Sequence, residues 1–465
     1  MNIQSYIGTK SFYKNVLLVS VPIMLQNALT SVVNLLDNMM VGRLGDNPMS
    51  GVAIAGSLLF VFQMAIFGSV SGAGIFGAQF FGKKDHKGVA DTLRIKLYMA
   101  LFFSILGIGL FLLNMDGFVG LYLHESEDVD PLNLIETLKY SKEYLTIMLI
   151  GLPPMALSIC YASSMRECGE TFVPMVAGII AVLTDLVLNW ILIFGNLGFP
   201  ALGVSGAAIA TVISRFTECI INIIWTHRHG EKLEFSKYLF KTLKVPGSLL
   251  RKVAIKGFPL MCNEIFWVLS ITVTSQCYSC RGLTVVAANN INTNIGNVFN
   301  IVFIALGSAV AIIVGQQLGN GEIEEAHATT RKLVAFSVAS CIVTSAIMIS
   351  VSHLVPKVYN TTDAVRSLAS SLIIIYALAM PLMAYNHASY FAIRSGGKTF
   401  ITLLFDSVYC WVVTVPLAYI LIHYTSMTIV PIYAIVTFSE LAKCVIATVF
   451  LKKLNWAVNL VADED

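Results

Sequence analysis

Asn27, Thr30, Asn34 and Asp37 follow one another at i, i+3, i+7 and i+10 within VPIMLQNALTSVVNLLDNMMVGRLG, residues 21–45. That spacing puts polar side chains on one face of a helix. The stretch is long enough to cross a bilayer, where an ionised carboxylate is costly unless it faces protein or water, so Asp37 reads as functional. Its face must look into a cavity, and the opposite wall must come from elsewhere in the chain. Other acids also sit in apolar runs. Asp185 has Asn189 one turn on along the same face, Glu264 lies in FPLMCNEIFW, and Asp406 lies in LLFDSVYCW. Paired carboxylates with amide and hydroxyl oxygens suit a hard cation, which takes several oxygen ligands. Two close carboxylates also raise one another's proton affinity, so a proton is the other ion such a site accepts. No nucleophile–base–acid set, metal motif or nucleotide loop accompanies these residues, and nothing in the pattern asks for an enzyme or a resident cofactor. The nine cysteines read as small buried hydrophobes; the closest pair, Cys277 and Cys280, is joined by neither a second pair nor nearby histidines.

The elements that position these acids follow from composition. The 465 residues are 56% hydrophobic and 12% charged, with a mean hydropathy of +0.77, whereas soluble domains carry about 25% charged residues. The chain therefore reads as an all-α polytopic membrane protein. Apolar runs of spanning length are expected at about 15–42, 51–77, 94–116, 138–163, 172–195, 203–226, 254–280, 288–315, 332–354, 365–393, 399–422 and 427–451. Continuous rather than alternating hydrophobicity excludes a barrel. The net charge of +3 is small, and no basic run interleaved with exposed aromatics points to nucleic acid. Lys10 and Lys14 precede a first run that is too long for a signal peptide and reads as a retained span.

Lysine and arginine set the expected orientation. The links GKKDHKGVADTLRIK and 226–256 are basic. The link holding Glu125, Glu127, Asp128, Asp130 and Glu136 is acidic, with no Lys or Arg from Leu97 to Leu138. Both termini are accordingly expected in the cytoplasm of a cell-membrane protein.

The sequence also repeats. An offset of 237 brings Pro22 onto Pro259, Gln79 onto Gln316, Gly82 onto Gly319 and Arg94 onto Arg331. After a nine-residue shortening the offset is 228, and MRECGETF meets IRSGGKTF. Six spans per half is an even number, so the halves run in parallel, related by an axis along the membrane normal. The expected organisation is an N-lobe at 1–226, a cytoplasmic linker at 227–253 and a C-lobe at 254–465. These form two pseudo-symmetric six-helix lobes around a central cleft.

DNMMVGRLG, GAQFFGKKD with its echo VGQQLGNGE, MRECGETFVPM, LNWILIFGNLGFPALGVSGAAIATVIS and IRSGGKTF together resemble the multidrug and toxic compound extrusion (MATE) family of the MOP exporter superfamily. The resemblance implies a twelve-helix exporter, monomeric and embedded in lipid. It would swap inward Na+ or H+ for outward organic, often cationic and amphipathic compounds by alternating access. Family members place an aspartate in span one, an Asn-x-x-x-Asp pair in span five and a threonine in span six around a cation site. By that resemblance Asp37, Asp185, Asn189 and Thr211 carry coupling, with the span-five order reversed here. Some members carry a glutamate in span seven, so Glu264 with Asp406 is a possible second cation or proton site. Gln26, Asn27, Asn34, Met261, Trp267, Tyr278, Tyr385 and Asn386 are candidates for a soft, aromatic cleft wall. A lipid-linked oligosaccharide flippase of the same superfamily is the rival reading. It would want basic residues for pyrophosphate, which the spans nearly lack outside two i, i+3 pairs, Arg215/Glu218 and Glu440/Lys443.

Overall fold

The computed structural model describes residues 6–121 and 131–462. The acidic stretch Glu125, Glu127, Asp128 and Asp130 lies outside the described residues. Twelve helices among the described residues are long and apolar enough to cross a membrane. They are α1 (Lys10–Gly42), α2 (Asp46–Gly82), α3 (His86–Gly120), α4 (Leu132–Glu167), α5 (Phe172–Phe194), α6 (Gly203–Arg228), α7 (Gly247–Ser279), α8 (Leu283–Gly319), α9 (Ile323–Val351), α10 (Asp363–Ser395), α11 (Thr399–Tyr424) and α12 (Ile429–Lys453). Most run past the apolar windows read from sequence, because helical hydrogen bonding continues into polar turns beyond the hydrocarbon. α2 starts at Asp46 rather than 51, with that acid in its first turn, where the helix dipole favours negative charge.

Two helices depart from regular geometry. α11 opens out in two π-helical turns, Leu404–Val408 and Cys410–Thr414, before a regular segment that carries Pro416 in its first turn. α12 is interrupted at Ser439, between Ile429–Phe438 and Glu440–Lys453. Irregular backbone at membrane depth is tolerated only where protein or water satisfies it.

The chain divides into two compact units. The C-terminal unit comprises Met1–Met24, Ala78–Asp85 and Val253–Asp465, and the N-terminal unit comprises Leu25–Gly77 and His86–Lys252. The division within α1 falls just after Pro22, the proline inside that helix. In the N-terminal unit α6 packs on α4 and α5; in the C-terminal unit α10 is the hub for α8, α9 and α12. The hub is built from small and aliphatic side chains, with Ala369, Ile373, Ala377, Met380 and Ala384 fully buried.

The repeat is visible as a reciprocal contact inside the C-terminal unit. A Cβ on Gly82 would lie 1.9 Å from the Gln316 carbonyl oxygen, and a Cβ on Gly319 would lie 1.8 Å from the Gln79 carbonyl oxygen. The ends of α2 and α8 thus cross backbone to backbone, each glycine meeting the residue equivalent to its own neighbour. The chain after α12 closes over this crossing. Gln79 Nε2 donates to the carbonyls of Ser395 and Val458 at 2.9 and 3.1 Å, and its Oε1 accepts from Leu460 N at 2.7 Å. Trp456 is 1% exposed beside them. Gly82→Ala should therefore force the helices apart and cost about 1–3 kcal/mol, read as a lower unfolding midpoint in detergent. Gly319→Ala should match it.

The segment between α6 and α7 is packed rather than loose. Leu233, Phe235 and Leu239 are buried, and Arg94 of α3 donates to the carbonyls of Tyr238 and Leu239.

Candidate ion-coupling site

The N-terminal unit gathers the carboxylates that the sequence singled out. Asp185 and Asn189 stand one turn apart on α5, 6% and 1% exposed. Asn189 Nδ2 donates to Asp37 Oδ1 at 2.8 Å and to Asp185 Oδ2 at 3.4 Å, tying α5 to α1. The two carboxyl groups are close enough to act on each other, and Thr211, whose hydroxyl donates to the Ala207 carbonyl at 3.1 Å, lies near Asp185. Asp185 Oδ1 and Asn189 Oδ1 are buried without a hydrogen-bond partner. Unpaired buried oxygens are costly unless something satisfies them. The reversed order of the span-five pair does not separate the ligands, because both residues lie on one face of α5.

Two participants were not read from sequence. Tyr144 of α4 lies near Thr211, and Arg215 of α6 is near enough to act electrostatically on both aspartates. An aromatic in an apolar helix carries no sequence signal for such a role. Arg215 reads as the partner of Glu218, and the two are indeed 3.7 Å apart.

The other candidates are dispersed within their units. Gln26 is held inside the N-terminal unit, its Oε1 accepting from Arg166 Nη2 at 2.6 Å. Asn27 is partly buried and Asn34 exposed. In the C-terminal unit Met261 is partly buried and Trp267 is exposed. Tyr278 is buried against Tyr433 with ring centroids 5.6 Å apart. The Tyr385 hydroxyl pairs with Thr448 Oγ1 at 2.6 Å, and Asn386 donates to Glu440 Oε2 at 2.6 Å.

Asp406 differs most from its sequence reading. Lys443 Nζ lies 2.6 Å from Asp406 Oδ1 but 3.8 Å from Glu440, so the i, i+3 pair expected on α12 is the longer of its two ion pairs. The π-helical turns of α11 rotate Asp406 away from the register of a regular helix. Glu264 is partly buried on α7, and its charged neighbours are Arg394 and Asp406.

A family model described as MatE matches residues 22–191 and 259–420, two stretches that begin at Pro22 and Pro259, the pair superposed by the internal repeat. The chain belongs to the MATE family. It is a multi-pass transporter, not an enzyme. The chain is 25% identical to the probable multidrug resistance protein YoeA of Bacillus subtilis, over 91% of this chain and 90% of that one. To the probable multidrug resistance protein NorM of Mannheimia succiniciproducens it is 26% identical, over 88% and 86%. A solved outward-facing multidrug resistance MATE transporter has the same fold, with a TM-score of 0.83 over 97% of both chains at 16% identity. So does a MOP superfamily transporter from Pyrococcus furiosus, at 0.83, 15% and 97% of both.

Proposed function

We propose that this MATE protein is a secondary active exporter that exchanges Na+ or H+ for organic, often cationic and amphipathic compounds by alternating access, with both termini cytoplasmic. Asp37, Asp185, Asn189 and Thr211 hold the coupling ion. The observation that carries the reading is the meeting of Asp37 and Asp185 on the Asn189 amide, with Asp185 Oδ1 and Asn189 Oδ1 buried and unpaired. A shared proton satisfies the carboxyl contact, and sodium satisfies the unpaired oxygens. The relatives named as multidrug resistance proteins support the substrate class. In this reading the chain works as a monomer of two lobes, 1–226 and 254–465, joined by the segment 227–253.

The ion shifts the transporter between states only by binding them unequally. Inside-out vesicles preloaded with sodium, or separately with an acid lumen, are therefore expected to accumulate ethidium when one gradient is imposed. The gradient that works names the ion. No accumulation under either gradient overturns the proposal.

A further inference from the structure

The C-terminal unit contains a carboxylate cage that already has a cation in it, the side chain of Lys443. This lysine is 6% exposed in the interrupted helix α12. Its Nζ stands 2.6 Å from Asp406 Oδ1 and 3.8 Å from Glu440 Oε1. The second oxygen of each carboxylate is taken by an amide: Asn263 Nδ2 donates to Asp406 Oδ2 at 3.0 Å, and Asn386 Nδ2 donates to Glu440 Oε2 at 2.6 Å. Asn386 Oδ1 is buried without a hydrogen-bond partner. Each acid therefore turns one oxygen toward the ammonium, with an unused amide oxygen on the residue that holds Glu440. The ring of Phe405 lies 5.5 Å from Nζ, a further contact suited to a cation.

The backbone is shaped around this cage. Asp406 sits in the first π-helical turn of α11, and Ser407 beside it donates to the Asn263 carbonyl and side-chain oxygens at 2.7 and 2.8 Å. Glu440 directly follows Ser439, whose carbonyl accepts from the Tyr409 hydroxyl at 2.7 Å. π-helical turns of this kind gather at functional sites.

We propose that Lys443 is a tethered occupant of a monovalent-cation site, which keeps the C-terminal unit permanently in its ion-loaded charge state. One unit charge on a flexible stem does there what the proposed coupling ion does between Asp37 and Asp185. Exchange of the coupling ion is then left to the N-terminal carboxylates; this last consequence rests on the proposed function, while the site itself does not.

The test removes the tether in a background that cannot couple. Full-length Asp37→Asn and Asp37→Asn/Lys443→Met proteins are unfolded thermally in detergent against NaCl at constant ionic strength. The first should show no sodium dependence. The second should gain a saturable rise in midpoint of a few degrees, which adding Asp406→Asn abolishes. A midpoint indifferent to Na+ overturns the inference, as does a Lys443→Met protein that folds only once Asp406 is also neutralised, whatever the salt. So does a sodium dependence that needs Asp406 while Lys443 is still present. Because nothing is transported in this assay, its failure is distinct from failure of the exporter reading.

Discussion

Asp37→Asn should give a folded protein whose ion-driven export of ethidium falls by about 100-fold or more. Asparagine has the shape of aspartate and leaves an oxygen where Asn189 Nδ2 donates at 2.8 Å, so the tie between α1 and α5 survives. The charge does not. Moving a two-state equilibrium from 1:99 to 99:1 takes roughly a 10⁴-fold difference in affinity between states, and a neutral amide gives an arriving cation little to discriminate with. Asp185→Asn should fall nearly as far, since it removes the second carboxyl of the same pair. Neither should lose stability, because each withdraws a charge from a desolvated site. The decisive set of measurements is vesicle efflux, ethidium binding to purified protein, and the unfolding midpoint. Loss of efflux with binding and midpoint unchanged assigns both residues to coupling; efflux within about twofold of the parent removes Asp37 from the mechanism.

What could be read from the sequence was whatever a helical period or a fixed offset encodes. Asp37 stood out because a carboxylate shared a face with Asn27, Thr30 and Asn34, and Asp185 and Asn189 are adjacent on α5 by spacing alone. The offset of 237 that pairs Gln79 with Gln316 and Gly82 with Gly319 is the one that the crossing of α2 and α8 displays. The Asp406–Lys443 pair was not legible. The two residues lie on different helices, and two π-helical turns shift the register of α11, which a period of 3.6 residues does not reveal. The partners of Lys96 and Arg94 are not legible for a related reason. Both belong to the basic stretch that argues orientation, and both are buried, at 0% and 3% exposure. A sequence shows the charge of a lysine but not where its partner lies, and the partner of Lys96 is on α4.

That partner is Glu167, and the pair leads to the other large effect expected. Lys96 Nζ lies 2.6 Å from both Glu167 oxygens and 2.9 Å from Ser164 Oγ. Gly74 and Gly77 leave room for the carboxylate, since a Cβ at those positions would come within 2.7 and 2.1 Å of it. Lys96→Met removes the cation and leaves Glu167 desolvated in a space shaped for an ion pair, which should cost about 3–5 kcal/mol. The reverse change, Glu167→Gln, strands the ammonium and should cost a similar amount. If the penalty comes from the orphaned charge, the double variant Lys96→Met/Glu167→Met should recover most of it, because a buried pair replaced by apolar side chains of similar volume is often neutral or better. With Glu167→Met as the second single variant, unfolding of the parent, the two Met singles and the Met/Met double in detergent closes the cycle, and a positive coupling energy of several kcal/mol is expected. A Lys96→Met protein as stable as the parent would mean that water reaches Glu167 and that the tie between α3 and α4 is carried by apolar packing instead.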